Sequence, residues 1–209
     1  HNNVKIIDGD FLTFSLPNKP FKVFSNPPFS LSADIINKLL KLPNQMSEMY
    51  LILQDKTVER FSKGNTQISI LWKPFYEISI LQKIDKKEFS PVPKVDIVLA
   101  RLEKRKIQMV DAESYQLYKD FVTYCFNQWK PTLLDSITKV FTHDQLKIVS
   151  KRYDLTGLKP SNLKLEQWLG LFDSFLKYVS SEKQTLVRGY ELRQTATQKD
   201  MIKRHRTNI

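Results

Sequence analysis

Hydrophobic residues in the first hundred positions alternate between short continuous runs and spaced stripes. Val4–Ile7, Phe21–Ser25 and Met49–Leu53 are apolar runs, and the last has the pattern of a strand buried on both faces. Ser32–Lys41 and Asp55–Phe61 carry their apolar residues at helical spacing, and a serine can cap the first of these helices. Strands that alternate with helices predict an α/β layered fold with right-handed crossovers.

The next stretch predicts two further strands. Ile78–Ile84 and Val95–Leu102 alternate between apolar and polar residues, and a short loop with Pro91 and Pro93 joins them. Such a loop is too short for a helical crossover, so we expect the two strands to be antiparallel. The stretch Ile68–Tyr76 fits a helix and a strand equally, and its periodicity leaves both open.

After residue 102 the strand pattern disappears and helical stripes follow. The predicted helical segments are Ser114–Phe126, Leu133–Ile137, Asp144–Val149 and Leu165–Val179. Their aromatic stripes are most simply the core of a small helical domain. The sequence therefore predicts an α/β domain over 1–106, a helical domain over 107–180 and a basic tail over 181–209.

Charge is the first indication of function. The chain has 33 Lys and Arg against 22 Asp and Glu, a net charge of +11, and residues 101–209 hold 20 of the basic and 12 of the acidic side chains. A domain this basic attracts polyanions, among which nucleic acid is the commonest. A lysine-rich composition without any RNA partner is the alternative.

Several classes of site and location are disfavoured. A single cysteine, Cys125, excludes an intrachain disulfide and a cysteine zinc cluster, and the three histidines lack metal-ligand spacing, so we expect no metal. No apolar run reaches the length of a membrane span and no signal peptide is recognisable, so we expect a cytoplasmic protein with no membrane partner.

The sharpest local feature is the tetrapeptide Asn26-Pro27-Pro28-Phe29, between a predicted strand and a predicted helix. Ligands of open α/β sheets bind outside the carboxyl ends of the strands, which is where this segment would lie. Consecutive prolines stiffen the turn, so the Asn26 amide and the Pro27 carbonyl can aim two acceptors at one exocyclic amine. Phe29 offers a flat face on which a base can stack. A proline-stiffened strand end without chemistry is the alternative.

Three motifs in order resemble a known family. Asp10-Phe11-Leu12, then Asn26-Pro27-Pro28-Phe29, then the segment from Phe89 to Asp96 (FSPVPKVD) are similar to the ribosomal RNA adenine N6-methyltransferases. That family includes the Erm macrolide-resistance enzymes and the small-subunit rRNA dimethyltransferases. The short helical domain and the ending Lys203–Thr207 are closer to the Erm branch.

This resemblance implies a Rossmann-like methyltransferase fold that binds S-adenosylmethionine. Asp10 matches the residue that holds the cofactor's adenine amine, and Phe11 and Asn26 complete the implied cofactor contacts. Asn26 and Pro27 would hold the target amine, while Phe29 and Phe89 would sandwich a flipped adenine.

The implied substrate is 23S ribosomal RNA, methylated at one adenine N6 so that macrolide, lincosamide and streptogramin B antibiotics are blocked. The basic tail would bind RNA through Lys203, Arg204 and Arg206. We expect a monomer. A small-subunit rRNA dimethyltransferase, an adenine DNA methyltransferase and a non-catalytic RNA-binding relative are the alternatives.

Two departures from the family pattern matter. The family more often has tyrosine where Phe29 stands, which leaves open whether one or two methyl groups are added. The family's glycine loop and ribose-binding acid precede the strand that corresponds to Val4–Ile7, and the five glycines include no Gly-x-Gly. We therefore expect an N-terminally truncated chain that is inactive alone and binds S-adenosylmethionine poorly.

Overall fold

Two units make up the protein in a computed structural model that describes residues 3–40 and 46–197. The sheet unit comprises residues 1–63 and 75–106, and the helical unit comprises residues 64–74 and 107–209. Most of the ambiguous stretch Ile68–Tyr76 thus belongs with the helices, whereas Tyr76 begins a strand of the sheet unit.

Four strands form one sheet in the sheet unit: β1 (Phe21–Ser25), β2 (Met46–Gln54), β3 (Tyr76–Ile84) and β4 (Ile97–Lys104). Their order is β1-β2-β4-β3. β1 and β2 are parallel, whereas β4 runs antiparallel to both β2 and β3, which confirms the predicted antiparallel pair.

Two helices follow the parallel strands. α1 (Ser32–Leu40) buries Ile36, Leu39 and Leu40 completely, and α2 (Asp55–Ser62) buries Val58 and Phe61. These are the apolar stripes that the helical spacing predicts; Lys41, the last residue of the predicted first helix, lies outside the described residues.

Burial along β2 alternates. Met49, Leu51 and Leu53 are completely buried, while Tyr50 and Ile52 between them are half-buried. The prediction of a strand equally buried on both faces was therefore wrong for the described residues, because only one face of β2 lies fully in the core.

The predicted first strand, Val4–Ile7, is not a strand in the structure. A strand needs a hydrogen-bonded neighbour, and no described strand pairs with this segment. Its apolar side chains are accordingly exposed, with Ile6 at 90% of its full accessible area. The β-branched residues favour a strand, but a strand forms only beside a neighbouring strand, and none of the described strands pairs with this segment.

Among the described residues, the helical unit contains seven α-helices: α3 (Gln67–Trp72), α4 (Tyr115–Phe126), α5 (Leu133–Ser136), α6 (His143–Tyr153), α7 (Leu165–Tyr178), α8 (Ser181–Gln184) and α9 (190–197). Thr66 caps α3 by accepting a hydrogen bond from the Ser69 amide, which decides the ambiguous segment in favour of a helix.

The core of the helical unit is aromatic. Phe121 of α4 lies with its ring centroid 4.7 Å from that of Phe175 and 5.7 Å from that of Phe172, both on α7. Trp168 is completely buried beside them, and Trp72 of α3 is 2% exposed. The aromatic stripes of the sequence are thus core residues.

Part of the predicted tail is folded. The Asp120 carboxylate, 3% exposed on α4, accepts hydrogen bonds from the backbone amides of Gly189 (2.7 Å) and Glu191 (3.0 Å) at the start of α9. The Lys119 ammonium lies 2.9 Å from the Glu191 carboxylate. Two charged side chains of α4 therefore hold α9, so residues 181–197 form part of the helical unit and not a separate tail.

Candidate active site at the carboxyl end of the sheet

The strand register brings several connections to one end of the sheet. Ser25, the last residue of β1, pairs with Leu51, and Gln54, the last residue of β2, pairs with Ile97 at the start of β4. Ile97 also pairs with Ile84, the last residue of β3. The segments that follow β1, β2 and β3 therefore all leave from this end, which is called the carboxyl end below.

The Asn26-Pro27-Pro28-Phe29 segment, called the diproline corner below, turns the chain from β1 into α1. The Pro28 carbonyl accepts hydrogen bonds from the Leu31 amide (2.9 Å) and from the Ser32 hydroxyl (3.2 Å), and so begins the helical turn. Pro27 is buried and Asn26 is exposed. Within residues 3–40 and 46–197, neither the Asn26 side chain nor the Pro27 carbonyl has a hydrogen-bond partner. As far as the described residues go, the corner thus leaves two acceptors without a partner.

Phe89 lies in the β3–β4 connection at the same end of the sheet and is half-buried, as is Phe29 of the diproline corner. Its amide donates to the Lys86 carbonyl (3.2 Å), and the Lys86 ammonium forms a 2.8 Å ion pair with Asp96. The hydrogen bond from the Lys86 ammonium lowers the pKa of the Asp96 carboxyl group. The β3–β4 connection is therefore fixed around Phe89.

A second contact joins this connection to the neighbouring segment. The Asp96 carbonyl accepts a 3.0 Å hydrogen bond from the Asp55 amide at the start of α2. The segments that follow β2 and precede β4 are thereby held together at the carboxyl end. Sequence reasoning missed this contact, because Asp55 and Asp96 belong to separate patterns.

Asp10 lies on a turn that borders a cavity of about 470 Å³. Its carboxylate accepts a hydrogen bond from the Leu12 amide (2.8 Å), and its carbonyl accepts from the Thr13 amide (3.1 Å). The half-buried Phe11 and the exposed Asp8 line the same cavity. A carboxylate beside an apolar ring in a cavity of this size suits an amine-bearing small molecule.

Lys38 of α1 fixes this turn. Its ammonium donates to the carbonyls of Phe11 (2.7 Å), Leu12 (2.8 Å) and Phe14, and it lies 5.3 Å from the centroid of the Phe11 ring. One lysine of the helix that begins at the diproline corner therefore holds the turn that carries Asp10. Sequence reasoning missed Lys38, and the only local signal is a lysine in the last turn of a helix.

The predicted site residues thus fall into three groups. Asn26, Pro27, Phe29 and Phe89 belong to connections at the carboxyl end of the sheet, whereas Asp10 and Phe11 border the cavity of the N-terminal turn. The predicted RNA-binding residues Lys203, Arg204 and Arg206 lie outside the described residues.

Neither a metal site nor a membrane-spanning helix is found among the described residues. No group of three or more acidic, histidine or cysteine side chains could hold a metal ion there. None of the helices described is both long enough and apolar enough to span a bilayer.

Comparison with known families gives one match over most of the chain. The model of the family described as ribosomal RNA adenine dimethylase matches residues 1–177. An rRNA adenine N-6-methyltransferase of Bacillus licheniformis is 28% identical over 187 residues, which cover 88% of this chain and 65% of that protein. The chain thus spans less than two thirds of that relative's length.

Other relatives carry two kinds of name. An rRNA adenine N-6-methyltransferase of Limosilactobacillus reuteri is 30% identical over 84% of this chain and 68% of its own length. The ribosomal RNA small subunit methyltransferase A of Pseudoalteromonas translucida is 26% identical over 78% of this chain and 61% of its own length.

Solved structures share the fold. The 23S rRNA methyltransferase ErmE superposes with a TM-score of 0.69 and 22% identity, over 84% of this chain and 73% of that one. A dimethyladenosine transferase from Plasmodium falciparum gives a TM-score of 0.62 and 20% identity, over 85% and 74% of the two chains. The predicted Rossmann-like methyltransferase fold is confirmed.

Proposed function

Because the chain belongs to the ribosomal RNA adenine dimethylase family, we propose that it methylates the N6 amine of an adenine in ribosomal RNA. The observation that carries this proposal is the diproline corner, with its exposed Asn26 and its unengaged Pro27 carbonyl at the carboxyl end of the sheet. Open α/β sheets bind their ligands at this end of the strands.

The chemistry of an adenine amine explains the use of two acceptors. Its nitrogen is a poor nucleophile because the lone pair is delocalised into the ring. Hydrogen bonds from its two N–H groups to the Asn26 side-chain oxygen and the Pro27 carbonyl favour a pyramidal nitrogen with a freer lone pair. The same acceptors stabilise the positive charge that develops on the nitrogen during methyl transfer.

The flat faces of the base need a separate support. Phe29 and Phe89 are half-buried aromatic side chains on two connections at the carboxyl end, and they would stack on the two faces of an adenine flipped out of the RNA. Stacking fixes the plane of the ring, and the two acceptors fix its rotation within that plane. Positioning of this kind supplies much of the rate in a transfer reaction.

S-adenosylmethionine, bound at the cavity beside Asp10, would supply an electrophilic methyl group; S-adenosylhomocysteine would leave and the amine would lose a proton to solvent. The carboxylate of Asp10 can accept a hydrogen bond from an adenine amine of the cofactor, and Phe11 offers an apolar surface in the same cavity of about 470 Å³. Lys38 holds both residues through the carbonyls of the turn. Asn26 would lie beside the methyl group to be transferred.

We propose 23S rRNA as the substrate, with resistance to macrolide, lincosamide and streptogramin B antibiotics as the consequence in a cytoplasmic, monomeric enzyme. The name of the structural relative ErmE and the rRNA adenine N-6-methyltransferase relatives support this choice. The small-subunit methyltransferase of Pseudoalteromonas translucida favours 16S rRNA as the second candidate.

The test is methylation of isolated 23S and 16S rRNA by the whole product of the gene, with radiolabelled S-adenosylmethionine and mass spectrometry of the modified nucleoside. We expect N6-methyladenosine or its dimethyl form in 23S rRNA. Modification confined to 16S rRNA would establish the second candidate. RNA binding without any methyl transfer would indicate the non-catalytic relative.

The role of the basic segment is tested by salt dependence. We expect replacement of Lys203, Arg204 and Arg206 by alanine to weaken RNA binding and to reduce the slope of log affinity against log salt by about 2, since each phosphate contact contributes about 0.7 to 0.9. Filter binding over a range of KCl concentrations measures the slope. An unchanged slope would mean that these residues do not contact the RNA.

A further inference from the structure

The helical unit carries one large aromatic side chain that takes no part in its core. Trp129 lies between α4 and α5 and is 95% exposed, whereas the other two tryptophans, Trp72 and Trp168, are 2% and 0% exposed. The other described aromatic residues of this unit are buried or half-buried, except Tyr178 of α7, which is 44% exposed. An indole held almost entirely in water is therefore the exception in this unit.

The backbone at Trp129 has a conformation that tryptophan rarely adopts. Its φ is +52°, in the left-handed region that favours glycine, asparagine and aspartate. The other non-glycine residue with positive φ is Asp154, which ends α6 and belongs to the residue types that tolerate this region. Such a conformation persists at Trp129 only if the neighbouring residues impose it.

The residues that flank Trp129 are anchored by hydrogen bonds. The Asn127 side-chain amide donates to the Thr123 carbonyl (2.7 Å), and the Gln128 side-chain amide donates to the Tyr124 carbonyl and to the Tyr190 hydroxyl (both 3.1 Å). On the other side, the Thr132 hydroxyl caps α5. Residues 127–131, called the Trp129 loop below, thus project the indole from a fixed backbone.

One cationic side chain lies next to Trp129 in the sequence of this loop, and a second is linked to the loop through Tyr190. Lys130 follows Trp129 directly and is exposed. The Arg193 guanidinium of α9 lies 5.6 Å from the ring centroid of Tyr190, which is bonded to Gln128. It donates one hydrogen bond each to the Arg188 and Leu186 carbonyls, so that, in the part of the chain that the structure describes, other N–H groups stay available. An exposed flat ring beside cations is the combination with which proteins bind single-stranded nucleic acid.

We propose that Trp129 stacks on an unpaired base of the RNA, at a position other than the methylated adenine, while Lys130 and Arg193 contact the neighbouring phosphates. The proposal rests on the proposed function, since it assumes that the partner is RNA. A second copy of the chain, docked on the exposed indole, is the competing occupant and is an outcome of the test.

The test uses a substitution to glycine, the residue that adopts the positive φ of position 129 most readily, so that a change in binding is not caused by a loss of stability. Trp129→Gly relieves the left-handed backbone, so its thermal stability should equal or exceed that of the unmodified protein. We expect Trp129→Gly and Trp129→Ala to bind a short oligoadenylate about tenfold more weakly, the effect of losing one stacked base. Trp129→Phe should restore most of the affinity, because a phenyl ring also stacks.

The controls separate stacking from charge. Binding of heparin and of a blunt RNA duplex, which offer charge without an unpaired base, should be unchanged by Trp129→Gly. Ile148→Ala removes another exposed apolar side chain of the helical unit, 59% exposed on α6, and should leave oligoadenylate binding unchanged.

Three results would overturn the proposal. One is equal oligoadenylate affinity of Trp129→Gly and the unmodified protein. Another is an equal loss for oligoadenylate, duplex and heparin. The third is a dimer in sedimentation that Trp129→Gly converts to a monomer. If the unmodified protein binds no RNA of any kind, the proposed function fails as well, so the two failures are distinguishable.

Discussion

The diproline corner of the sheet unit and the Lys119–Asp120 pair of the helical unit use their polar groups in opposite ways. At the carboxyl end of the sheet, the Asn26 side chain and the Pro27 carbonyl have no partner among the described residues, and Asn26 is exposed. In the helical unit, Lys119 and Asp120 are 4% and 3% exposed, and each is paired with the start of α9. The diproline corner thus leaves acceptors without a partner among the described residues, whereas Lys119 and Asp120 use their hydrogen-bonding groups to fix the fold of the helical unit.

The difference teaches where substitutions should affect activity and where they should affect stability. An exposed acceptor with no partner contributes little to folding, so its removal is felt only when a ligand is present. A buried carboxylate that accepts two backbone hydrogen bonds leaves unsatisfied donors behind when it is removed. The contrast can be tested with one substitution of each kind.

The largest expected effect is that of Asn26→Ala. We expect the rate of methyl transfer to fall by at least about 100-fold, because one of the two acceptors for the target amine is lost. RNA affinity and thermal stability should change little. Asn18→Ala, another exposed asparagine of the sheet unit that precedes β1, is the matched control. Normal turnover by the Asn26 variant would remove this side chain from the mechanism.

Asp120→Ala tests the buried carboxylate of the helical unit, whose loss should affect stability. It leaves the amides of Gly189 and Glu191 without their acceptor, and we expect the free energy of unfolding to fall by about 3 kcal/mol. Chemical denaturation measures this change, and hydrogen exchange of the α9 amides should accelerate. Asp173→Ala, at an exposed position of α7, should cost almost nothing. Equal stability of the two variants would contradict the role assigned to Asp120.

Lys38→Met tests a residue of the sheet unit that acts through structure. Loss of the hydrogen bonds from the Lys38 ammonium should destabilise the ordered turn by about 1.5 kcal/mol. Because the turn must be ordered to bind S-adenosylmethionine, we expect its affinity to fall about tenfold. Calorimetry on the whole gene product gives the affinity, and hydrogen exchange at Thr13 and Phe14 reports the turn. Lys19→Met is the control. Unaltered exchange at the turn would show that Lys38 does not hold it.

The smallest effect is a pH dependence of the sheet itself. Hydrogen bonds from Lys22, Tyr50 and Arg101 lower the pKa of Glu48 from 4.5 to about 2. A lowered pKa stabilises the folded state above pH 4.5, and this contribution is lost as the pH falls toward 2. The melting temperature of Glu48→Gln should therefore fall less over this interval than that of the unmodified protein. Glu59→Gln, at an exposed position of α2, should follow the unmodified protein.

The sequence correctly predicted those helices and strands whose formation depends mainly on their own residues. The run Phe21–Ser25 and the stripe after Ser32 became β1 and α1, because apolar periodicity and a stiff proline turn are local properties. Val4–Ile7 failed for the converse reason, since a strand depends on a neighbour that its own residues do not encode.

Long-range hydrogen bonds account for what the sequence did not reveal. Lys38 binds carbonyls 24 to 27 residues earlier, and Asp120 binds amides 69 and 71 residues later. No periodicity links such positions, so the fixed Asp10 turn and the folded residues 181–197 became apparent only in the structure. The motif residues of the site were recognisable because they resemble a family, and their roles stay a proposal.

The unequal burial of the three tryptophans gives the protein an internal optical reporter. Trp72 and Trp168 emit from the core and report on unfolding, whereas Trp129, 95% exposed, emits at longer wavelength and is open to collisional quenchers such as iodide. A molecule that covers the indole would shield it from the quencher and leave the other two signals unchanged. Fluorescence can thus follow folding and ligand contact separately in a single unlabelled sample.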